Sequence, residues 1–159
     1  MANPANRAVS ADLALLITRT FNAPRERVFD AWLDPNQIGK WIGPRQIRAE
    51  TTELTAKVGG RYRIHMRGID GSDGPVVGGE YREIVRPQRL VFTWMWDSAH
   101  PMGHSGHETL VTLTFREVGG KTEMTLRQEV FESKDSRDSH NQGWNSSFDK
   151  LGEMLDGKS

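Results

Sequence analysis

The chain has 159 residues, balances 21 Lys plus Arg against 21 Asp plus Glu, and contains no Cys. That length fits one domain. Zero net charge excludes a general polyanion binder, which needs a cationic excess to displace phosphate counterions; the missing Cys excludes disulfides, thiolate nucleophiles and Cys-bearing zinc sites. Hydrophobic residues make up only 36 %, but five Trp and six Phe are among them, and each aromatic buries about 150–250 Å².

The first dozen residues read as a loose, flexible segment, with a single domain expected over 13–156. The apolar run Leu13 to Ile17 is too short for a signal-peptide core or a membrane span, so a cytoplasmic location is expected. Residues 13–21 alternate and are rich in Leu, Ile, Thr and Phe, which predicts a first strand. Pro24 and Glu26 then signal a helix start, and Val28, Phe29, Trp32 and Leu33 give it one apolar stripe. Asp34, Pro35 and Gln37 restart the pattern with a cap, a Pro at the first helical position and a Gln two residues on. This second helix carries Ile38 and Trp41 and ends before Gly43-Pro44.

Strand and hairpin signals follow, over 47–57, 61–67, 76–85, 89–96, 108–116 and 122–130. Turn sequences separate most of them: Val58-Gly59-Gly60, Asp70 to Gly74, Arg86-Pro87 and Val118-Gly119-Gly120. The pattern predicts a seven-stranded antiparallel meander in which sequence neighbours pair. A last helix is expected from somewhere between Asp135 and Ser139 to about Leu155; Ser139 to Gln142 matches a capping box. Trp144, Phe148, Leu151 and Leu155 form its apolar stripe. Such a helix, roughly 25–30 Å long, matches a sheet roughly 30 Å wide.

The aromatic positions carry the candidate site. Period two places Leu90, Phe92, Trp94 and Trp96 on one strand face, and Tyr62, Ile64 and Met66 on another, with Trp144 and Phe148 facing them from the helix. Such a set packs a dry core or lines a cavity for an apolar molecule. Other constellations point elsewhere. His100, His104 and His107 have imidazole chemistry suited to a metal, but they lie in a Gly-rich segment that reads as a solvated loop. Glu80 and Arg82 share a strand face and read as surface residues, as does the row Arg61, Arg63, Arg67. Residues 1–91 carry 14 basic and 10 acidic side chains and 92–159 carry 7 and 11, an asymmetry suited to self-association or a protein partner. No nucleophile elbow, zinc-protease helix or phosphate-cradling glycine loop occurs.

Several strings, taken in order, resemble one family. They are Arg19 to Pro35 (RTFNAPRERVFDAWLDP), Lys40 to Pro44 (KWIGP), Val58 to Arg63 (VGGRYR), Gly79 to Trp94 (GEYREIVRPQRLVFTW), Val111 to Phe115 (VTLTF) and Gln142 to Trp144 (QGW). The chain resembles the activator-of-heat-shock-ATPase-homologue branch of the SRPBCC superfamily. One departure is Ile42, where many members of that branch carry a second Trp. The resemblance implies an α+β helix-grip fold, as in START and birch-pollen-allergen-like proteins: a curved antiparallel sheet around a long C-terminal helix, with two short helices after strand one. It also implies non-catalytic binding of a small hydrophobic or aromatic molecule, with a stress-related role. The alternatives are a co-chaperone-like protein-interaction module or a cyclase- or hydrolase-like enzyme. The expected ligand-binding residues are Trp41, Tyr62, Ile64, Met66, Phe92, Trp94, Trp96, Trp144 and Phe148. A chaperone or a second copy is the other expected partner; no cofactor, metal, nucleic-acid or membrane partner is expected.

Overall fold

A computed structural model describes residues 13–97 and 106–157. The chain order is β1 (Leu15–Phe21), α1 (Arg25–Leu33), α2 (Pro35–Trp41), β2 (Ile47–Leu54), β3 (Arg61–Gly68), β4 (Val76–Val85), β5 (Arg89–Trp96), β6 (Thr109–Val118), β7 (Lys121–Glu129) and α3 (Lys134–Leu155). The seven strands form one antiparallel, curled sheet in the order β1-β7-β6-β5-β4-β3-β2. The meander runs from β2 to β7, but β1 pairs with β7 instead of β2. The reason is the helical connection. α1 and α2 fill the gap between β1 and β2, so these strands are not joined by a hairpin and can occupy opposite edges. The expected N-terminal segment, residues 1–12, lies outside the described residues.

Local chemistry sets the element ends. Asp34 caps α2 by accepting from the Asn36 N–H and from the Gln37 side chain, each at 2.9 Å. These hydrogen bonds, the Gln37 one foremost, hold its carboxyl below the usual range. Pro24 is the residue before α1 rather than its first turn, with its carbonyl accepting from Arg27 and Val28. Strand β2 ends at Leu54, three residues early, because Thr55, Lys57 and Gly60 close a turn with backbone bonds of their own. Strands β6 and β7 join through Gly119-Gly120, whose φ values of +56° and +81° fit a two-residue hairpin turn. Helix α3 starts at Lys134, ahead of the capping box at Ser139, because Ser133 accepts from the Ser136 N–H and caps the helix there. Ser139 is thus released to a helix face.

The inward face of the sheet is continuous across the register. Ile17 pairs with Leu126, Leu126 with Leu113, and Leu113 with Leu90, all buried. Farther along, Phe92 pairs with Tyr81, and Ile64 with Val77. Helix α3 lies over this face, beside β1 and α2. Arg19 leaves the inner face of β1 and bonds Asp149 and Asn145 of α3 at 2.8 and 3.2 Å, tying one edge of the helix to the sheet.

A candidate apolar cleft under the N-terminal half of the last helix

The aromatic side chains divide into a packed group and an open group. In the packed group, Trp32 of α1 meets Trp41 edge-on at 4.6 Å between ring centres, and lies 5.6, 6.0 and 6.1 Å from Trp144, Phe92 and Phe148. Trp41 is fully buried and donates its indole N–H to the Ala31 carbonyl at 3.2 Å. In the open group, Trp94 packs on Trp144 at 4.9 Å and on Trp96 at 5.6 Å.

Beside the open group is a cavity of about 240 Å³. Its sheet wall consists of Ile47, Met66, Trp94 and Trp96, with Pro75 at the edge. Its helix wall consists of Ser139, His140, Gly143, Trp144 and Ser147, and the segment Ile42-Gly43-Pro44 closes the end. The helix is responsible for the space. His140, Gly143 and Ser147 follow at i, i+3 and i+7, a stripe of small or polar residues beside the bulky one. A Cβ placed on Gly143 meets no atom within 4 Å, so the missing side chain leaves a void that no neighbour fills.

The walls are held by buried polar contacts. Trp144 donates its indole N–H to Gln128 Oε1 at 2.7 Å; Gln128 donates to Thr109 Oγ1 at 2.8 Å, and Thr109 donates to the Trp94 carbonyl at 3.0 Å. This chain, closed from solvent at Gln128 and Thr109, fixes the two rings that face each other across the interface. Ser147 Oγ accepts from the Gly43 N–H at 2.7 Å and donates to the Gly143 carbonyl at 2.9 Å, anchoring the end wall to α3. Trp96 donates its indole N–H to His140 Nε2 at 2.9 Å, while His140 Nδ1 donates to the Ser136 carbonyl at 2.7 Å. That arrangement requires a neutral imidazole.

A second hollow is much smaller, about 10 Å³, between Trp32, Ile38, Ile42, Tyr62, Ile64, Tyr81, Phe92 and Trp94. The Tyr62 hydroxyl crosses β4 and donates to the Thr93 carbonyl of β5 at 2.5 Å. It can do so because its partner on β4 is Gly79, where a Cβ would stand 1.9 Å from that same carbonyl oxygen. Burial pushes the phenols of Tyr62 and Tyr81 above their ordinary value of 10.0, so both stay protonated.

Of the nine expected residues, Met66, Trp94, Trp96 and Trp144 line the larger cavity, and Tyr62, Ile64 and Phe92 join Trp94 around the smaller one. Trp41 and Phe148 border neither and belong to the packed group. Sequence reasoning passed over His140, Gly143 and Ser147, whose helical spacing was the available signal, and Gln128, a polar residue on an inward strand position. The Arg row faces outward: Arg63 pairs with Asp97 at 2.7 Å and Arg67 with Glu50 at 3.4 Å. Glu80 and Arg82 pair with each other at 3.2 Å, on that surface and away from the cleft. His100 and His104 lie outside the described residues, and His107 donates to the Val130 carbonyl. Among the described residues no group of His, Asp and Glu is placed to hold a metal ion, and no helix is long and apolar enough to cross a membrane.

The family model described as "Activator of Hsp90 ATPase homolog 1-like protein" matches residues 22–156. No curated protein matches the chain. Among solved structures, one from Chromobacterium violaceum is similar with a TM-score of 0.80 and 25 % identity, over 90 % of this chain and 96 % of that one. One from Arthrobacter aurescens gives a TM-score of 0.81 at 24 % identity, covering 92 % and 88 %. The AHSA1 protein from Silicibacter pomeroyi gives 0.76 at 25 % identity, covering 92 % and 99 %.

Proposed function

The chain belongs to the activator of Hsp90 ATPase homolog 1-like family, and from that premise we propose that it binds a small hydrophobic or aromatic molecule, without catalysis, in the cleft between the sheet and the N-terminal half of α3. The observation that carries the reading is the cleft itself: about 240 Å³ walled by Trp94, Trp96, Trp144, Met66 and Ile42. Concave, mainly apolar sites with a few polar groups suit small molecules, and burial of the ligand supplies about 25 cal/mol per Å². Ser139 and Ser147 on the helix wall supply the polar groups that orient the ligand.

The reading favours binding over catalysis because the described walls carry no carboxylate and both ring nitrogens of His140 are already engaged. A general base needs a free nitrogen within hydrogen-bond reach of substrate. Native mass spectrometry of the freshly purified protein should show a co-purifying small molecule. At least one member of a panel of fatty acids, aromatic acids and fused-ring ketones should quench tryptophan fluorescence saturably in the wild type, with the response lost in Trp94→Ala. A flat response across the whole panel would sink the reading.

One surface favours a second reading, a protein-interaction module. A hollow of about 540 Å³ outside α2, β2 and α3 gathers Lys40, Arg45, Arg48 and Lys150 around the single carboxylate of Glu153, next to the exposed Ile69. An acidic partner protein suits this surface, and Lys40→Glu with Arg48→Glu should abolish that complex while leaving small-molecule binding intact.

A further inference from the structure

The chain has five tryptophans, and three of their indole N–H groups have acceptors: Trp41 bonds Ala31, Trp96 bonds His140 and Trp144 bonds Gln128. The other two, Trp32 and Trp94, are buried and have no hydrogen-bond partner among the described residues. An indole N–H removed from water without an acceptor forfeits its hydration with nothing in return, so such groups in a folded protein call for an explanation. Both belong to residues that border the same small hollow. The hollow, about 10 Å³, has room for about one water-sized atom group and no more. Ile42 and Trp94 form part of the wall of both this hollow and the apolar cleft, so the two spaces are neighbours.

We infer that the small hollow is the inner end of the binding site and takes a neutral oxygen acceptor of the ligand, a carbonyl oxygen carried on an apolar or aromatic body that fills the cleft. This rests on the cleft being a ligand site. Three features set the acceptor's chemistry. The orphaned groups are donors, so the ligand supplies an acceptor. The residues around the hollow include no Lys, Arg or His, so a carboxylate would enter uncompensated and at high cost. The phenols there are held neutral by burial, and the Tyr62 hydrogen is already committed to Thr93. The site therefore selects a ketone, ester or amide over both a hydrocarbon and an acid of the same shape.

The test uses the wild-type chain and three probes of nearly equal size: 2-acetylnaphthalene, 2-isopropylnaphthalene and 2-naphthoate. Calorimetric titration should show the ketone binding about 10-fold or more tightly than the hydrocarbon, a buried donor being satisfied only by the former. Naphthoate should bind more weakly than the ketone. In ¹H–¹⁵N spectra the ketone should move the Trp32 and Trp94 indole protons downfield, with the hydrocarbon leaving them in place. Equal affinity of ketone and hydrocarbon, without selective movement of those two signals, overturns the acceptor site and leaves the apolar cleft standing as a ligand site. Binding of none of the three removes the cleft reading and the acceptor site with it.

Discussion

Along the C-terminal half of α3, Phe148, Leu151 and Leu155 join Phe21, Trp32 and Trp41 in one packed cluster, and all six are buried. Along its N-terminal and middle turns, the same helix over the same sheet presents His140, Gly143 and Ser147 and leaves a cleft. Backbone geometry is shared by the two halves, so the difference lies in side-chain volume at successive helical turns. Small residues on one face of a helix open a cavity only if the opposite wall is held back. Here the Trp144–Gln128–Thr109 chain and the Ser147–Gly43 bond hold it.

That contrast is broken most severely at the packed end. Phe148→Ala should destabilise the fold by about 3–5 kcal/mol, the range for deleting a buried aromatic, as measured by denaturant unfolding. Ligand affinity should change little in the fraction that remains folded. Next in size, Gln128→Leu should cost about 1–3 kcal/mol by orphaning the Trp144 indole N–H. It should also loosen the cleft wall, seen as a broader Trp144 indole signal and weaker ligand binding.

The open end should respond in the opposite sense. Gly143→Leu grows into space that nothing occupies and replaces a helical glycine, so stability should rise by up to about 1 kcal/mol. Ligand binding should fall at least ~10-fold because the side chain occupies the cleft. A Gly143→Leu protein that is markedly destabilised would show that the helix wall lies closer to the sheet than described.

The smallest effect concerns pH. Half-burial, with the Arg45 guanidinium adding repulsion, lowers the Lys150 ammonium from 10.5 to about 8, while its Nζ donates to the Pro44 and Ile47 carbonyls. Between those values the unfolded chain holds a proton that the folded chain has released, so stability rises with pH from about 8 upward. Above about pH 10 the buried Tyr62 and Tyr81 oppose this, because their unfolded phenols ionise and their folded ones do not. Stability should crest near pH 10 in thermal melts. Lys150→Met should flatten the rise below the crest, by less than ~1 kcal/mol given the group's partial exposure to solvent.

Much of this architecture is legible in the sequence because it rests on short-range periodicity. The stripe of Trp144, Phe148, Leu151 and Leu155 and the alternation of Phe92, Trp94 and Trp96 place themselves on their faces. The Asp34 cap and the Gly119-Gly120 turn are similarly local. Which aromatics pack and which line a space was not legible, since Trp41 and Trp144 look alike as letters. Trp41 is enclosed by α1 and by Phe148 of α3; Trp144 directly follows Gly143 on α3. The stripe of His140, Gly143 and Ser147 was readable at helical spacing, but only a facing wall turns small residues into a cleft.

The sequence by itself determined that this is a neutral, cysteine-free α+β chain with strands over most of its middle and one long amphipathic helix at the end. It also concentrated the apolar volume in a few aromatics on known faces. Only the tertiary structure decided that β1 closes against β7, that Tyr62 reaches over Gly79 to β5, and that two of five indoles find no acceptor among the described residues. The physical reason is range: periodicity and caps are properties of neighbouring residues, whereas a cavity and an unpaired donor exist only between elements far apart in the chain.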